Sequence, residues 1–128
     1  MESTLKKESI IASKAYSFAL EIIVLYKKLV ADKEFVLSKQ ILRSGTSIGA
    51  NINEALSAQS KRDFVHKLSI SLKETRETIY WLNLLKDSNY INQEYFINLS
   101  TKSKELMKIL SSIILTIKQK YFKTKSSQ

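Results

Sequence analysis

Hydrophobic positions recur at three- and four-residue spacing along nearly the whole chain, the period of helices buried on one side. From about Thr4 to Val30, Ile11, Ala15, Phe18, Ile22, Leu25 and Leu29 share one stripe, opposite a polar line of Lys7, Lys14, Glu21 and Lys28. The polar break Ala31-Asp32-Lys33-Glu34, with Asp32 as N-cap, leads into a second helix over about 34–57. Its inner stripe is Leu37, Ile41, Gly45, Ile48, Ile52 and Ala55. After a turn around Ala58 and Gln59, Ser60 and Asp63 form a near capping box that opens a third helix over about 60–86. Phe64, Leu68, Ser71, Leu72, Thr75, Ile79 and Leu82 face inward there. Asp87-Ser88-Asn89-Tyr90 reads as a turn, and Asn92 with Glu94 caps a fourth helix over about 92–120. Phe96, Ser103, Met107, Leu110, Ile114 and Tyr121 keep its core period. Short connections, no proline and no strand alternation predict an all-α, up-down-up-down antiparallel four-helix bundle. It forms a single domain over residues 1–121, with a basic tail at 122–128.

Both glycines fall on the core stripe of the second helix, where each costs about 1 kcal/mol against alanine. Their spacing of four points to a contact too close for side chains. The rival is a break at Ser44-Gly45-Thr46 into a phosphate loop, which lacks the G-x-x-x-x-G-K-[ST] spacing and the preceding strand. Beside the first helix's core stripe runs a second apolar one: Ala12, Tyr16, Ala19, Ile23, Tyr26 and Val30. Its width reads as an oligomer interface through Tyr16, Ile23 and Tyr26, or as a wider core within one protomer. Ile70 and Trp81, on a flank of the third helix, extend the same interface reading.

Charge adds a partner class. Across 128 residues the net charge is +9, which favours a polyanionic partner, RNA or DNA, although eighteen lysines to three arginines also suit simple solubility. The best-organised basic feature is the outward line Arg62, His66, Ser69, Lys73, Arg76 and Tyr80, joined by Lys39 and Arg43 on the second helix. These are candidate phosphate contacts, which position a nucleic acid without reading its sequence. Ser47, Asn51 and Glu54 edge the second helix, and with Glu74 they are expected to fix geometry, because a buried polar group left unpaired costs about 1–3 kcal/mol.

Other chemistry finds little support. Without cysteine there is no disulfide or thiolate metal site. The lone Asp63-x-x-His66 pair points outward and has no second histidine to build a carboxylate-bridged metal pair, so no metal is expected. Glu54 and Glu74 admit acid–base work if brought together, with a hydrogen-bonding role as the simpler reading. No catalytic residue and no cofactor are expected. The N-terminus lacks a signal-peptide core and no apolar run approaches about 18 residues, so a cytoplasmic protein without membrane association is expected.

The pattern Arg43-Ser44-x-x-Ser47-Ile48-x-x-Asn51-Ile52-x-Glu54, followed by Ser60, Asp63-Phe64, Leu68, Ser71-Leu72-x-Glu74 and Glu77, resembles the bacterial four-helix bundle proteins named for the 23S rRNA intervening sequence, also called S23. The resemblance covers about residues 10–120. It implies a bundle assembled into a homopentameric barrel and brings no catalytic residues. It also brings in a relative, the accessory variability determinant of diversity-generating retroelements, which binds nucleic acid and a reverse transcriptase. A reverse transcriptase is therefore an implied protein partner, and an accessory or scaffold role is the alternative to direct nucleic-acid binding.

Overall fold

The computed structural model describes residues 2–122, and these form four helices: α1 (Glu2–Ala31), α2 (Leu37–Leu56), α3 (Lys61–Asp87) and α4 (Gln93–Tyr121). Each helix packs on its neighbour in sequence and α4 returns to α1, while the diagonal pairs do not pack. This is the expected antiparallel four-helix bundle. Of the basic tail expected at 122–128, all but Phe122 lies outside the described residues.

The predicted stripe of α1 is buried at every position, and so is that of α2 except at Leu37, which is half-buried. On α3 and α4 the buried band departs from the predicted stripe, of which Phe64, Leu72, Ile79, Phe96 and Met107 are half-buried. Val65, Thr78 and Leu85 join the core from α3, and Leu99, Leu106, Ile113 and Ile117 join it from α4. Tyr121, expected inside, is exposed at the last residue of α4, with the Lys61 ammonium 4.9 Å from its ring centre.

Two helix starts are capped as the sequence implies. Ser60 Oγ accepts from Asp63 N at 3.0 Å, and Asn92 Oδ1 accepts from Tyr95 N at 2.7 Å. The start of α2 differs. The helix begins at Leu37 rather than near residue 34, and Asp32 does not cap it. Instead the buried carboxylate of Glu34 accepts from Ser38 N at 2.6 Å and Val36 N at 3.3 Å. The reason lies at the end of α1. Lys33 takes a left-handed conformation (φ 63°), and Glu34 N and Lys33 N donate back to Leu29 O and Val30 O. That closing turn uses up residues 32–34, and Asn89 (φ 68°) closes α3 in the same way.

By length and composition Lys6–Ala31 suffices to cross a membrane, contrary to the expectation from the sequence. In the bundle its two mid-helix charges are tied to α4, Lys14 to Glu105 at 3.2 Å and Glu21 to Lys102 at 2.8 Å. One stripe of this helix forms a wall of the core, while Tyr16, Leu20 and Val24 stay exposed.

The glycines split in role. A Cβ on Gly45 would stand 2.8 Å from both γ-carbons of Ile22, a fully buried, branched side chain with little freedom to move. A Cβ on Gly49 would meet Ala15 at 3.6 Å, ordinary contact. Gly45→Ala is therefore expected to destabilise the bundle by about 1–3 kcal/mol, less any gain in helix propensity. Gly49→Ala should be neutral or stabilising by up to about 1 kcal/mol. Urea unfolding followed by circular dichroism distinguishes the two, and equal shifts would contradict the packing described. By the same measurement Lys33→Gly should add roughly 1 kcal/mol by relieving the left-handed backbone. Glu34→Ala should lose about 1–2 kcal/mol by freeing two amides at the start of α2, that of Ser38 buried.

Candidate functional site

Burial of Leu68, Ser71, Thr75, Thr78 and Leu82 turns the opposite face of α3 to solvent. Arg62, His66, Ser69, Lys73, Arg76 and Tyr80 are all exposed there, as expected. At 1.5 Å per residue the line from Arg62 to Arg76 covers about 21 Å. Among the described residues, Lys39, Arg62, Lys73 and Arg76 form no ion pair. Two of the line's members have other neighbours: the Arg62 guanidinium lies 5.3 Å from the Phe122 ring centre, and Tyr80 meets Trp81 edge-on at 5.1 Å.

From the sequence Arg43 counts among the free cations. In the structure its Nη1 donates to Glu74 Oε2 at 2.8 Å, and its second terminal nitrogen pairs with Glu77. Two carboxylates of α3 thus hold one guanidinium of α2, the geometry for which a planar fork of donors is suited. Arg43 braces the α2–α3 seam. A second brace joins Glu54 to Lys67 at 2.9 Å, and this hydrogen bond and charge raise the Lys67 pKa above the ordinary lysine value. Glu54 and Glu74 each engage a different cation, so they are not assembled as an acid–base pair.

Of the polar residues expected to fix geometry, Glu54 and Glu74 reach across helices. Ser47 and Asn51 do not. Ser47 Oγ donates to Arg43 O at 2.6 Å and Asn51 Nδ2 to Ser47 O at 2.8 Å, both within α2. The buried polar links between α2 and α3 come from Ser71, which reads as a core position in the sequence, and from Ser44 and Thr78, which the predicted stripes do not include. Thr78 Oγ1 donates to Ser44 Oγ at 2.9 Å, and Ser71 Oγ donates to Ile48 O at 2.8 Å. The available signal was the run of hydroxyls at 71, 75 and 78, one face of α3, opposite the Ser44-Gly45 pair.

The interface candidates are dispersed. Tyr16 is 68% exposed and edges a shallow α1–α2 groove with Ala12, Ala19, Thr46, Gly49, Ala50 and Asn53. Ile23, Tyr26, Ile70 and Trp81 are half-buried within one protomer. Trp81 packs on the core, and its indole N–H is shielded without an acceptor among the described residues. Further apolar exposure lies at Leu20 and Val24 of α1 and Ile97 and Leu115 of α4, residues the second stripe did not include. His66 stands exposed, and among the described residues no group of three or more histidines and carboxylates is placed to hold a metal.

Comparison with known proteins gives two results and one absence. A solved structure, a protein of unknown function from the S23 ribosomal protein family of Bacteroides thetaiotaomicron VPI-5482, is 54% identical to this chain. The match covers 85% of this chain and 98% of that one, with a TM-score of 0.84. No curated protein matches. Residues 7–112 match the family described as 23S rRNA-intervening sequence protein, and the chain belongs to that family.

Proposed function

We propose that this protein is a non-enzymatic, homo-oligomeric nucleic-acid-binding protein that contacts phosphates through the outer face of α3. The observation that carries the reading is the line Arg62, Lys73 and Arg76: exposed cations without ion-pair partners among the described residues, on a helix held by buried contacts on its other side. Lys39 of α2 joins them, while His66 and Tyr80 contribute locally. Arg43 is left out of the contact set because Glu74 and Glu77 neutralise it.

About three phosphates per protomer give weak binding on their own. Repetition around a ring multiplies it through effective concentration, and a homopentamer is the assembly proposed. A cyclic assembly needs two different complementary patches on each subunit. Exposed Tyr16, Leu20 and Val24 on α1, with the Ile70 and Trp81 flank of α3, supply apolar candidates on two helices that do not pack together. The same exposed residues on α1 favour one second reading, a scaffold or accessory subunit whose partner is another polypeptide, such as a reverse transcriptase.

Anisotropy of labelled RNA and duplex DNA over a salt series tests the main reading. If three phosphates are met per protomer, log K should fall with log salt at a slope of about −2.7 per protomer engaged. Lys73→Glu with Arg76→Glu should flatten that slope and cut affinity at least tenfold, whereas Arg43→Gln should lower stability far more than affinity. No binding at low salt, or an unchanged double variant, would sink the assignment. Capture of the same polypeptide with and without nuclease would then favour the scaffold. Light scattering checks assembly: the pentamer requires five times 14.7 kDa, and a mass near 14.7 kDa overturns it.

A further inference from the structure

All four helices meet at the end of the bundle that holds the start of α3 and the end of α4, and they leave a cleft of about 440 Å³. Volumes of roughly 300–1,000 Å³ are typical of small-molecule sites. Ala55, Leu56, Phe64 and Ile117 give it apolar walls, while Gln59, Ser60 and Thr116 line it with hydrogen-bonding groups. Glu8 is its one acid, and burial raises the pKa of that carboxyl while the nearby Lys61 charge lowers it. At the rim, Lys61 and Lys120 stand 4.9 and 5.6 Å from the ring centre of Tyr121, which is 40% exposed. Immediately beside it, Arg62 and Lys118 border a shallower groove against Val65 and Phe122. Two cations from two helices, Lys61 and Lys120, therefore flank one acid, an apolar recess and a partly open aromatic ring, with Arg62 and Lys118 in the separate groove.

We infer that this cleft receives an unpaired base of a single-stranded nucleic acid, with Lys61 and Lys120 on the flanking phosphates, an inference that rests on the nucleic-acid reading above. The chemistry fits the two halves of a nucleotide. A base is flat and apolar on its faces and polar at its edge, matching the walls and Tyr121 on one hand and the Glu8 carboxylate with the Gln59 amide on the other. Phosphates match the rim cations. Arg62 also heads the α3 line, so a strand lying along that line runs to the mouth of the cleft. A paired base cannot enter it. Duplex is thus held by the α3 face alone, and single strands by both.

The test uses the full chain with a single-stranded oligonucleotide carrying 2-aminopurine, and the same strand annealed to its complement. Tyr121→Ala should weaken single-strand binding roughly five- to hundredfold and leave duplex affinity unchanged. The 2-aminopurine fluorescence should fall on binding to the native protein and recover in the variant. Glu8→Gln, which keeps size and removes charge, should shift the preference among the four bases without changing duplex affinity. Single-strand affinity unchanged by Tyr121→Ala, with no change in 2-aminopurine signal, overturns the cleft while Lys73 and Arg76 still govern binding. Failure of the native protein to bind either form overturns the cleft together with the reading on which it rests.

Discussion

Close approach to α2 from both sides at a single level sets the geometry of the bundle. On one side Gly45 leaves room for the γ-carbons of Ile22, which a methyl group would meet at 2.8 Å. On the other, Ser44 and the carbonyl of Ile48 receive the hydroxyls of Thr78 and Ser71. Small side chains permit the approach, and the hydrogen bonds satisfy groups that would otherwise be buried unpaired. The outer braces from Arg43 to Glu74 and Glu77, and from Lys67 to Glu54, then fix the rotation of α3 against α2. The outward direction of Arg62, Lys73 and Arg76 follows from that rotation.

The fold was legible because each core stripe is long, and because Ser60 and Asn92 use the most direct capping chemistry. What escaped the sequence depended on two helices at once. Ser71 looks like an ordinary tolerated core hydroxyl, and Thr78 falls outside the predicted core stripe, until the partner carbonyl and hydroxyl of α2 are in place. Arg43 looks free on its own helix, and only the register of α3 brings two carboxylates to it. The start of α2 shifted because Lys33, rather than glycine, occupies the left-handed turn that closes α1, and a lysine gives little local sign of that conformation. Ser47 and Asn51 were misread in the opposite sense, since each had a partner within its own helix.

The excess of positive charge is unevenly spent. Glu21, Glu54, Glu74, Glu77 and Glu105 all hold cations across a helix seam, so these five acids act as internal ties. Among the described residues, the cations without an ion-pair partner include Arg62, Lys73 and Arg76 on the outer face of α3 and Lys118 and Lys120 at the end of α4. Positive charge is left unopposed on those surfaces, while the ion pairs between helices lie at the α1–α4 and α2–α3 seams.

One seam differs from the rest. Three of the four join helices adjacent in the chain, but α1 and α4 meet across separations of 81 to 105 residues, through Lys102 on Glu21, Lys14 on Glu105 and Lys7 on Ser112. It is also the sparsest of the four. Contacts so distant in sequence form only after the intervening chain is ordered, so this seam is the last to shut and the first to part. The bundle behaves as a three-hinged sheet of helices rolled into a tube and fastened along one edge by mainly ionic clasps. Salt, which weakens exposed ion pairs, loosens that edge before it touches the hinges.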